Sequence, residues 1–543
     1  MQTPPAVFPL PASNAFLGLA LPGRAGAALL VVFTGLLTAW VFFLGYYPSI
    51  FHSDAAAHQL LAQAMVDERS LLPRDFAYGN QLILWRNNLF IAPALALGLE
   101  GYRAYAAGSM ATFAVFFLAA FLCIDSLLQH WRRSLLACWL LFLPLGHTEA
   151  DFILGQQSHL GIVVLALVIV IQAFRASQGH RRAPVLCALA VFLLVLEAPT
   201  RAVMLLLPLA AALWAGGRLG GARSWLGLVV AGALAGYAGN RWLLLSHQVV
   251  GIPPLPLAAY DHFLARASEL LKGIVDYFIG FYQFAGMSSK PAHLVLYALK
   301  TLALALFAGL AVWLGARLAR RVMSPPQSHP AAGPIEFVGM TGGLGAALGF
   351  FIVCAIEYWL DIRHFLWALV LLKLALLLAA LQWLSHRRFE RPMLAALCAL
   401  AILTSTVGSA LVVPPYRARL QSELAVHNDG PVFARVAARM KELGIRRIYG
   451  EHWATLRTEV LIPGAQASVI TLDGDKVQFV SFVTRPSRQC VGGEVLYLLD
   501  RGIAPEMRII EKVLAGGGRE VECLRGNWTL FAGPPVWDRA GCL

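Results

Sequence analysis

Charge is what this chain has least of. Asp, Glu, Lys and Arg together make 13% of its 543 residues, and the acids number only 30. A soluble globular chain carries about 25% charged residues, so a water-solvated body is excluded for most of the length. Cysteine is sparse too, at 8. Cys123, Cys138, Cys187, Cys354 and Cys398 lie in or beside apolar runs, where a thiol acts as a small hydrophobe. The polar C-terminal part has no Walker loop, no nucleotide-binding glycine fingerprint and no Cys/His metal spacing. No internal repeat is evident. No basic stripe interleaves with exposed aromatics, so the net charge of +13 does not point to nucleic acid.

Apolar residues take the place of the missing charge, at 58% of the chain, with a mean hydropathy of +0.66. A helix needs roughly 20 apolar residues to cross the hydrocarbon core. The apolar runs predict a multi-pass α-helical membrane protein with about eleven transmembrane helices. They lie near 25–47, 102–127, 134–146, 159–174, 184–198, 202–215, 225–245, 294–316, 337–358, 365–384 and 393–413. The first run is too long for a signal-peptide core and lacks a cleavage site, so it reads as a mature span.

Orientation follows from the basic residues. Arg132-Arg133, Arg175 with Arg181-Arg182, Arg218 with Arg223, Arg317 with Arg320-Arg321, and Arg387-Arg388 with Arg391 fall between alternate runs. Lys and Arg collect in short cytoplasmic loops. The N-terminus is therefore expected inside, and the other loops outside. Those outer loops hold Asp54, Glu149, Asp151, Glu197, Arg201, Asp361, Arg363 and His364. Carboxylates at the mouths of membrane helices are costly to hold there unless they perform chemistry or bind an ion.

Two outer segments are large, about 48–101 and 246–293. The first contains a helix-like stretch, 54–66. It also contains an apolar stretch, 82–99, broken by Trp85-Arg86-Asn87-Asn88 and Pro93, which suits helices lying in the interface. Trp85 and Tyr102 read as aromatic-belt residues. The second follows Pro253-Pro254-Leu255-Pro256 with an amphipathic stretch. Phe263, Leu264, Ala267, Leu270, Leu271, Ile274, Val275 and Phe278 share one face, which meets either the interface or the bundle.

Charges return beyond Pro414-Pro415, so residues 1–415 form the membrane part and 416–543 a soluble domain. Asp429 caps an expected helix from Pro431 to Leu443-Gly444. Strands are expected at 447–449, 468–472, 477–483, 494–499, 520–524 and 528–531, with helices at 454–461 and 505–515. Such alternation favours an α/β layer. The eleventh run leads outward, so this α/β domain is expected to be extracytoplasmic. An oxidising compartment permits a disulfide there. Cys490–Cys523 is the preferred pair, because both flank strands and Cys542 lies near the tail.

The layout resembles the GT-C superfamily of integral-membrane glycosyltransferases, such as lipid-A aminoarabinose transferases and protein mannosyltransferases. In those proteins an acidic residue follows the first span, and Asp54 matches it. A second motif of two acids separated by one residue matches Glu149-Ala150-Asp151. A soluble domain after the last span matches the chain beyond Val413. Departures are visible. Asp54 is not in an acidic pair, and the C-terminal part lacks the Trp-Trp-Asp motif of oligosaccharyltransferases. Tyr449-Gly450-Glu451-His452-Trp453 only faintly echoes aromatic-rich segments of other members.

The resemblance implies an inverting transferase in a bacterial cytoplasmic membrane. It would take a polyprenyl-phosphate-linked sugar donor and pass the sugar to a glycan, lipid or protein acceptor on the outer face. Asp54 would be the base. Glu149 and Asp151 would bind a divalent metal ion, Mg or Mn, or assist the base. Arg201, Arg363 and His364 would hold the donor phosphate. The chemistry suits these residue types: a carboxylate takes the acceptor proton, and the planar guanidinium fork suits a departing phosphate.

Blander roles stand beside these. Arg201 either serves the donor or pairs with Glu197, and Arg363 either serves it or pairs with Asp361. Asp54 doubles as a helix-cap carboxylate. Glu149 and Asp151 fit solvated loop acids, and His52, His58 and His159 fit interfacial or bundle polar residues. The rival functions are a transporter or flippase of a lipid-linked glycan and a non-catalytic envelope-assembly protein. Single cysteines at Ser70 and Ser422 are expected to label from outside and one at Ser177 from inside. Labelling of Ser177 and Ser422 from one side overturns the orientation.

Overall fold

The computed structural model describes residues 24–47, 53–78, 82–143, 149–247, 259–279, 331–356, 361–385, 430–480, 483–489, 492–524 and 526–537, with Phe51, Leu257 and scattered positions between 298 and 323. A bilayer core offers no water to backbone N–H and C=O groups, so apolar runs there close their own hydrogen bonds as helices. The helices are α1 (Arg24–Val41), α2 (Ser53–Glu68), α3 (Asn88–Ala96), α4 (Gly101–Leu128), α5 (Trp131–Phe142) and α6 (Leu160–Ser177). They continue as α7 (Ala183–Glu197), α8 (Pro199–Ala215), α9 (Leu219–Ser246), α10 (Tyr260–Ile279), α11 (Pro334–Ala355) and α12 (Leu366–Ser385).

Among the described residues, five helical segments are long and apolar enough to cross a membrane: Gly101–Leu128, Leu160–Ser177, Trp225–Ser246, Pro334–Ala355 and Ile362–Trp383. That is fewer than the expected eleven, and backbone chemistry explains part of the difference. Pro199 has no N–H to donate and disfavours a helical residue before it. Ala198 accordingly leaves the helical region at φ −142° and ψ 76°. The break limits α7 and α8 to 15 and 17 residues, about 23 and 26 Å at 1.5 Å per residue, short of a core of about 30 Å. The run at 393–413 lies outside the described residues.

The helices meet at two ends. At one, Arg218 donates to the Ala332 carbonyl and the Ser177 hydroxyl, and Ala332 N–H donates to Gly216. The loops after α6 and α8 and the start of α11 are thus joined. At the other end lie the start of α2, the α7–α8 junction, and Glu149–Gly155, which form a π-helix. Such turns concentrate at functional sites. Gly155 lets the Tyr47 ring approach; an added Cβ would stand 2.2 Å from it. The face expected on α10 divides: Leu270 is buried, Leu264 and Leu271 are exposed, and Tyr277 is buried instead. Trp85 and Tyr102 both hydrogen-bond to neighbouring helices. Trp85 Nε1 donates to the Leu193 carbonyl at 3.0 Å, and the Tyr102 hydroxyl to Phe43 at 2.8 Å.

The C-terminal part holds α13 (Gly430–Leu443), β1 (Arg447–Gly450), α14 (His452–Leu461), β2 (Gln466–Asp473), β3 (Lys476–Phe479), β4 (Val495–Asp500), α15 (Ala504–Ala515), β5 (Arg519–Cys523) and β6 (Trp528–Gly533). The sheet order is β3-β2-β1-β4-β6-β5. β1 is parallel to β2 and β4, and the remaining pairs are antiparallel. Alternation along each strand builds two cores. Ile448, Leu496, Leu498 and Leu530 meet Val436 and Met440 of α13 and Ala454 of α14. Tyr449, Tyr497, Leu499 and Phe531 meet Ile509, Ile510 and Val513 of α15. The result is a three-layer α/β/α domain.

Two expectations change here. The strand expected to reach Val483 stops at Phe479, because Val483 sits at φ +49° and Thr484 bridges instead to Ala77 in the α2–α3 connection. Cys523 carries a free, exposed thiol at the end of the edge strand β5, and not a bridge to Cys490, which lies outside the described residues. Asp429 lies outside the described residues.

The domain is latched to α2 and the segment after it. Arg485 pairs with Asp67 and, at 2.9 Å, with Asp75. Ser487 gives Asp75 its backbone N–H at 2.8 Å and its hydroxyl at 2.5 Å. Partial burial opposes ionisation of Asp75, but these donors win and hold its pKa below the usual carboxylate range. A depressed pKa gives stability that is present above the unfolded value and lost as pH falls through the folded one. Arg485→Ala is expected to weaken the latch by roughly 2 kcal/mol, the scale of hydrogen bonds to charged groups. Thermal unfolding in detergent and limited proteolysis of the C-terminal domain measure this, and unchanged protection would remove the latch.

Candidate functional site

Asp54 stands in the first turn of α2, where the helix dipole favours a carboxylate. Its two oxygens have different partners. Oδ2 lies 3.8 Å from Arg363 Nη1, and Oδ1 accepts from His452 Nε2–H at 3.3 Å. Its side chain is 29% exposed, so a small group can still reach it. Arg363 is fixed from behind. Asp361 opens the short 3-10 turn Ile362–Phe365, and its Oδ1 accepts the Arg363 backbone N–H at 2.8 Å. Its Oδ2 lies 3.4 Å from Arg363 Nε. The guanidinium also sits 5.6 Å over the Phe152 ring, an arrangement favoured by the ring quadrupole. Burial raises the Asp361 pKa, Arg363 opposes it, and Asp151 and Asp54 push it up again. Asp54 and Asp361 thus face one guanidinium, with Asp151 near enough to act on Asp361.

A polar network behind α2 sets its position. His58 lies one turn after Asp54 and donates from Nδ1 to Asn87 Oδ1 at 2.6 Å. Asn87 donates to Ser109 of α4 at 2.9 Å. Arg86 reaches His58 Nε2 at 3.4 Å and pairs with Glu197 at 3.1 Å. Burial, then Arg86, lowers the His58 pKa to about 3, so the ring stays neutral and can accept from Arg86. α2, the 85–88 segment, α4 and α7 are joined by one chain of hydrogen bonds.

The remaining sequence candidates divide. Glu197 makes its salt bridge with Arg86, and its charge also acts on Arg201. Arg201 Nη1 donates to His159 Nδ1 at 3.1 Å, and among the described residues no salt bridge to a carboxylate engages it. Donation to Nδ1 fixes His159 as the Nε2–H tautomer. Arg201, Arg86, Arg363 and His364 all lie near enough to act on His159. Asp151 is 7% exposed and accepts from Gln156 Nε2 at 2.7 Å. Glu149 is 2% exposed and bound to Lys373 of α12 at 2.6 Å, with Tyr277 of α10 alongside. The structure thus brings Asp54, Asp151, Asp361, Arg201, Arg363 and His364 to one mouth, and turns Glu149 inward.

Metal fit is poor. Among the described residues no group of three or more His, Cys, Asp or Glu side chains is arranged to hold an ion. Asp54 and Asp361 already face Arg363, and Glu149 faces Lys373. Sequence reasoning missed His452, Lys373 and Arg86. Lys373, the lone cation in the apolar run 366–381, carried a usable signal, because an ionised group there demands a partner. His52 lies outside the described residues. Comparison with protein families, with characterised proteins and with solved structures gives no match to this chain.

Lys373 and Glu149 tie α12 to the π-helix that carries Asp151. Removing one partner of a buried pair leaves an uncompensated charge and costs about 3–5 kcal/mol. Lys373→Met is expected to destabilise by that scale, and Lys373→Met with Glu149→Gln to recover most of it. Unfolding of the single and double variants in detergent measures the coupling, and additive losses would show that the pair does not act as one.

Proposed function

We propose that this chain is a membrane glycosyltransferase of the GT-C type. It moves a sugar from a polyprenyl-phosphate donor to an envelope glycan, lipid or protein acceptor. The reaction takes place on the outer face of a bacterial cytoplasmic membrane, with the C-terminal domain outside. The observation that carries this reading is Asp54, a part-exposed carboxylate beside a guanidinium at the mouth of an apolar bundle. A polyprenyl tail stays in lipid while its phosphate sits at the surface, so a base and phosphate-binding cations are needed at that boundary.

The step is a single displacement. The acceptor O–H or N–H gives its proton to Asp54 as its oxygen or nitrogen bonds to the anomeric carbon. The bond from that carbon to the phosphate oxygen breaks, and its electron pair leaves with the phosphate. The anomeric centre inverts. Arg201, which no carboxylate neutralises by a salt bridge among the described residues, takes the developing phosphate charge, with Arg363 and His364 beside it. Arg363 also keeps Asp54 ionised and ready to accept a proton. Asp151 and Glu149 shape the wall through Gln156 and Lys373.

One observation favours a different reading, a transporter or flippase of a lipid-linked glycan. The Lys373–Glu149 pair lies buried among apolar helices, and intramembrane ion pairs also mark transport paths. Sugar transfer by purified protein with a polyprenyl-phosphate donor separates the two. Asp54→Asn is expected to fold normally and lose on the order of 10²–10⁴ in rate. Asp151→Asn is expected to lose activity. Arg363→Lys keeps the charge without the fork, so weaker donor binding with a smaller loss at saturation is expected. Full activity of Asp54→Asn eliminates the base. If Glu149→Gln and Asp151→Asn are also active, those carboxylates lose their roles, and a wild-type protein that transfers no sugar makes transport the better reading.

A further inference from the structure

The sheet domain supplies one side of the Asp54 site. His452 opens α14, directly after β1. It stands at the carboxyl end of the parallel strands, beside the point where β2 and β4 diverge from β1. Open α/β sheets present functional groups at that edge. Here the edge is pressed against α2. Leu456 and Val460 of α14 join the hydrophobic core of the membrane bundle. Gly101 at the start of α4 lies so close that an added Cβ would stand 2.8 Å from the Val460 carbonyl. The Arg485 latch and the Ala77–Thr484 bridge hold the same domain at the far end of α2. α2 is clamped at both ends, and the clamp at its first turn is the His452–Asp54 hydrogen bond.

We propose that His452 is a positioning residue for Asp54, and that the C-terminal domain is an integral part of the site and not an appendage. This rests on the transferase reading. His452 Nε2–H holds Oδ1 while Arg363 lies against Oδ2. A carboxylate hydrogen-bonded at one oxygen and faced by a guanidinium charge at the other keeps one orientation, and one syn lone pair is directed to the acceptor. With His452 removed, the carboxylate rotates about its Cβ–Cγ bond toward Arg363. The base remains charged but is misaimed. A misplacement of about 1 Å at a reacting group costs about 10²-fold. The loss falls on turnover, because the hydrogen bond from His452 goes to the base, Asp54.

The test uses the full-length protein in three variants. His452→Phe keeps ring volume without a donor, His452→Ala removes both, and His452→Gln restores an N–H near the Nε2 position. For Phe and Ala, kcat is expected to fall about 10²-fold with KM for the donor unchanged, and Gln is expected to regain part of it. Docking is read separately in a background lacking Cys490, Cys523 and Cys542. Ala77→Cys with Thr484→Cys forms a cross-strand disulfide when the domain sits on α2, since such pairs lie about 5 Å apart. Full kcat in His452→Phe and His452→Ala, with the disulfide formed and Asp54→Asn inactive, overturns the positioning role and leaves the transferase standing. A donor KM that rises with kcat intact overturns it too. Failure of the disulfide in folded protein overturns the docked domain. A wild-type protein that transfers no sugar overturns the transferase reading, and this one with it.

Discussion

The geometry of the mouth depends on how α2 is held. It is a helix with little amphipathic character, and eleven of its sixteen residues are buried. A helix of that kind cannot lie loosely on a surface, since burial on several sides demands a partner on each. The bundle supplies one set through His58, Asn87 and Ser109, and the C-terminal domain supplies another through α14 and Arg485. Asp54 inherits its position from both. Neither half alone would hold the carboxylate at the observed angle.

Low charge density is the other constraint. Inside an apolar bundle each ionised group needs a counter-charge, and the described pairs follow that rule. Lys373 meets Glu149, Arg86 meets Glu197, and Arg363 meets Asp361 and Asp54. Arg201 is held differently, with an imidazole as its hydrogen-bond partner and Glu197, already bridged to Arg86, as the carboxylate whose charge reaches it. An arginine next to two other arginines and without a carboxylate salt bridge is poised for an anion from outside the chain. Asp54, part-exposed, adds a carboxylate to the same end of the bundle.

Much of the fold was legible because it follows from local chemistry. Strand alternation at Ile448-Tyr449 and Leu496-Tyr497, and the glycines after α13 and α15, marked the C-terminal elements to within a few residues. Asp54 was legible because an acid just past a long apolar run is rare and costly. What escaped was non-local. Nothing near Glu197 says that Arg86, and not Arg201, will take it, since the choice depends on where the 85–88 segment packs. Val483 gave no sign that its strand would end early to reach Ala77. His452 looked like one polar residue in an aromatic stretch, and only docking of the domain gives it Asp54 as a partner.

The partners Asp54 and His452 are 398 residues apart. Chains emerge at about 5–20 residues per second, so the carboxylate waits roughly twenty to eighty seconds for its imidazole. During that interval the helices insert, but the mouth lacks one wall. The site is therefore the last thing to be completed, after α13, β1 and the strands that hold α14 have folded. A chain cut short anywhere before the sheet closes presents a membrane bundle with its acid uncovered. Assembly order thereby sets a sequence of events: the His452 contact to Asp54 arrives only with the C-terminal α/β domain.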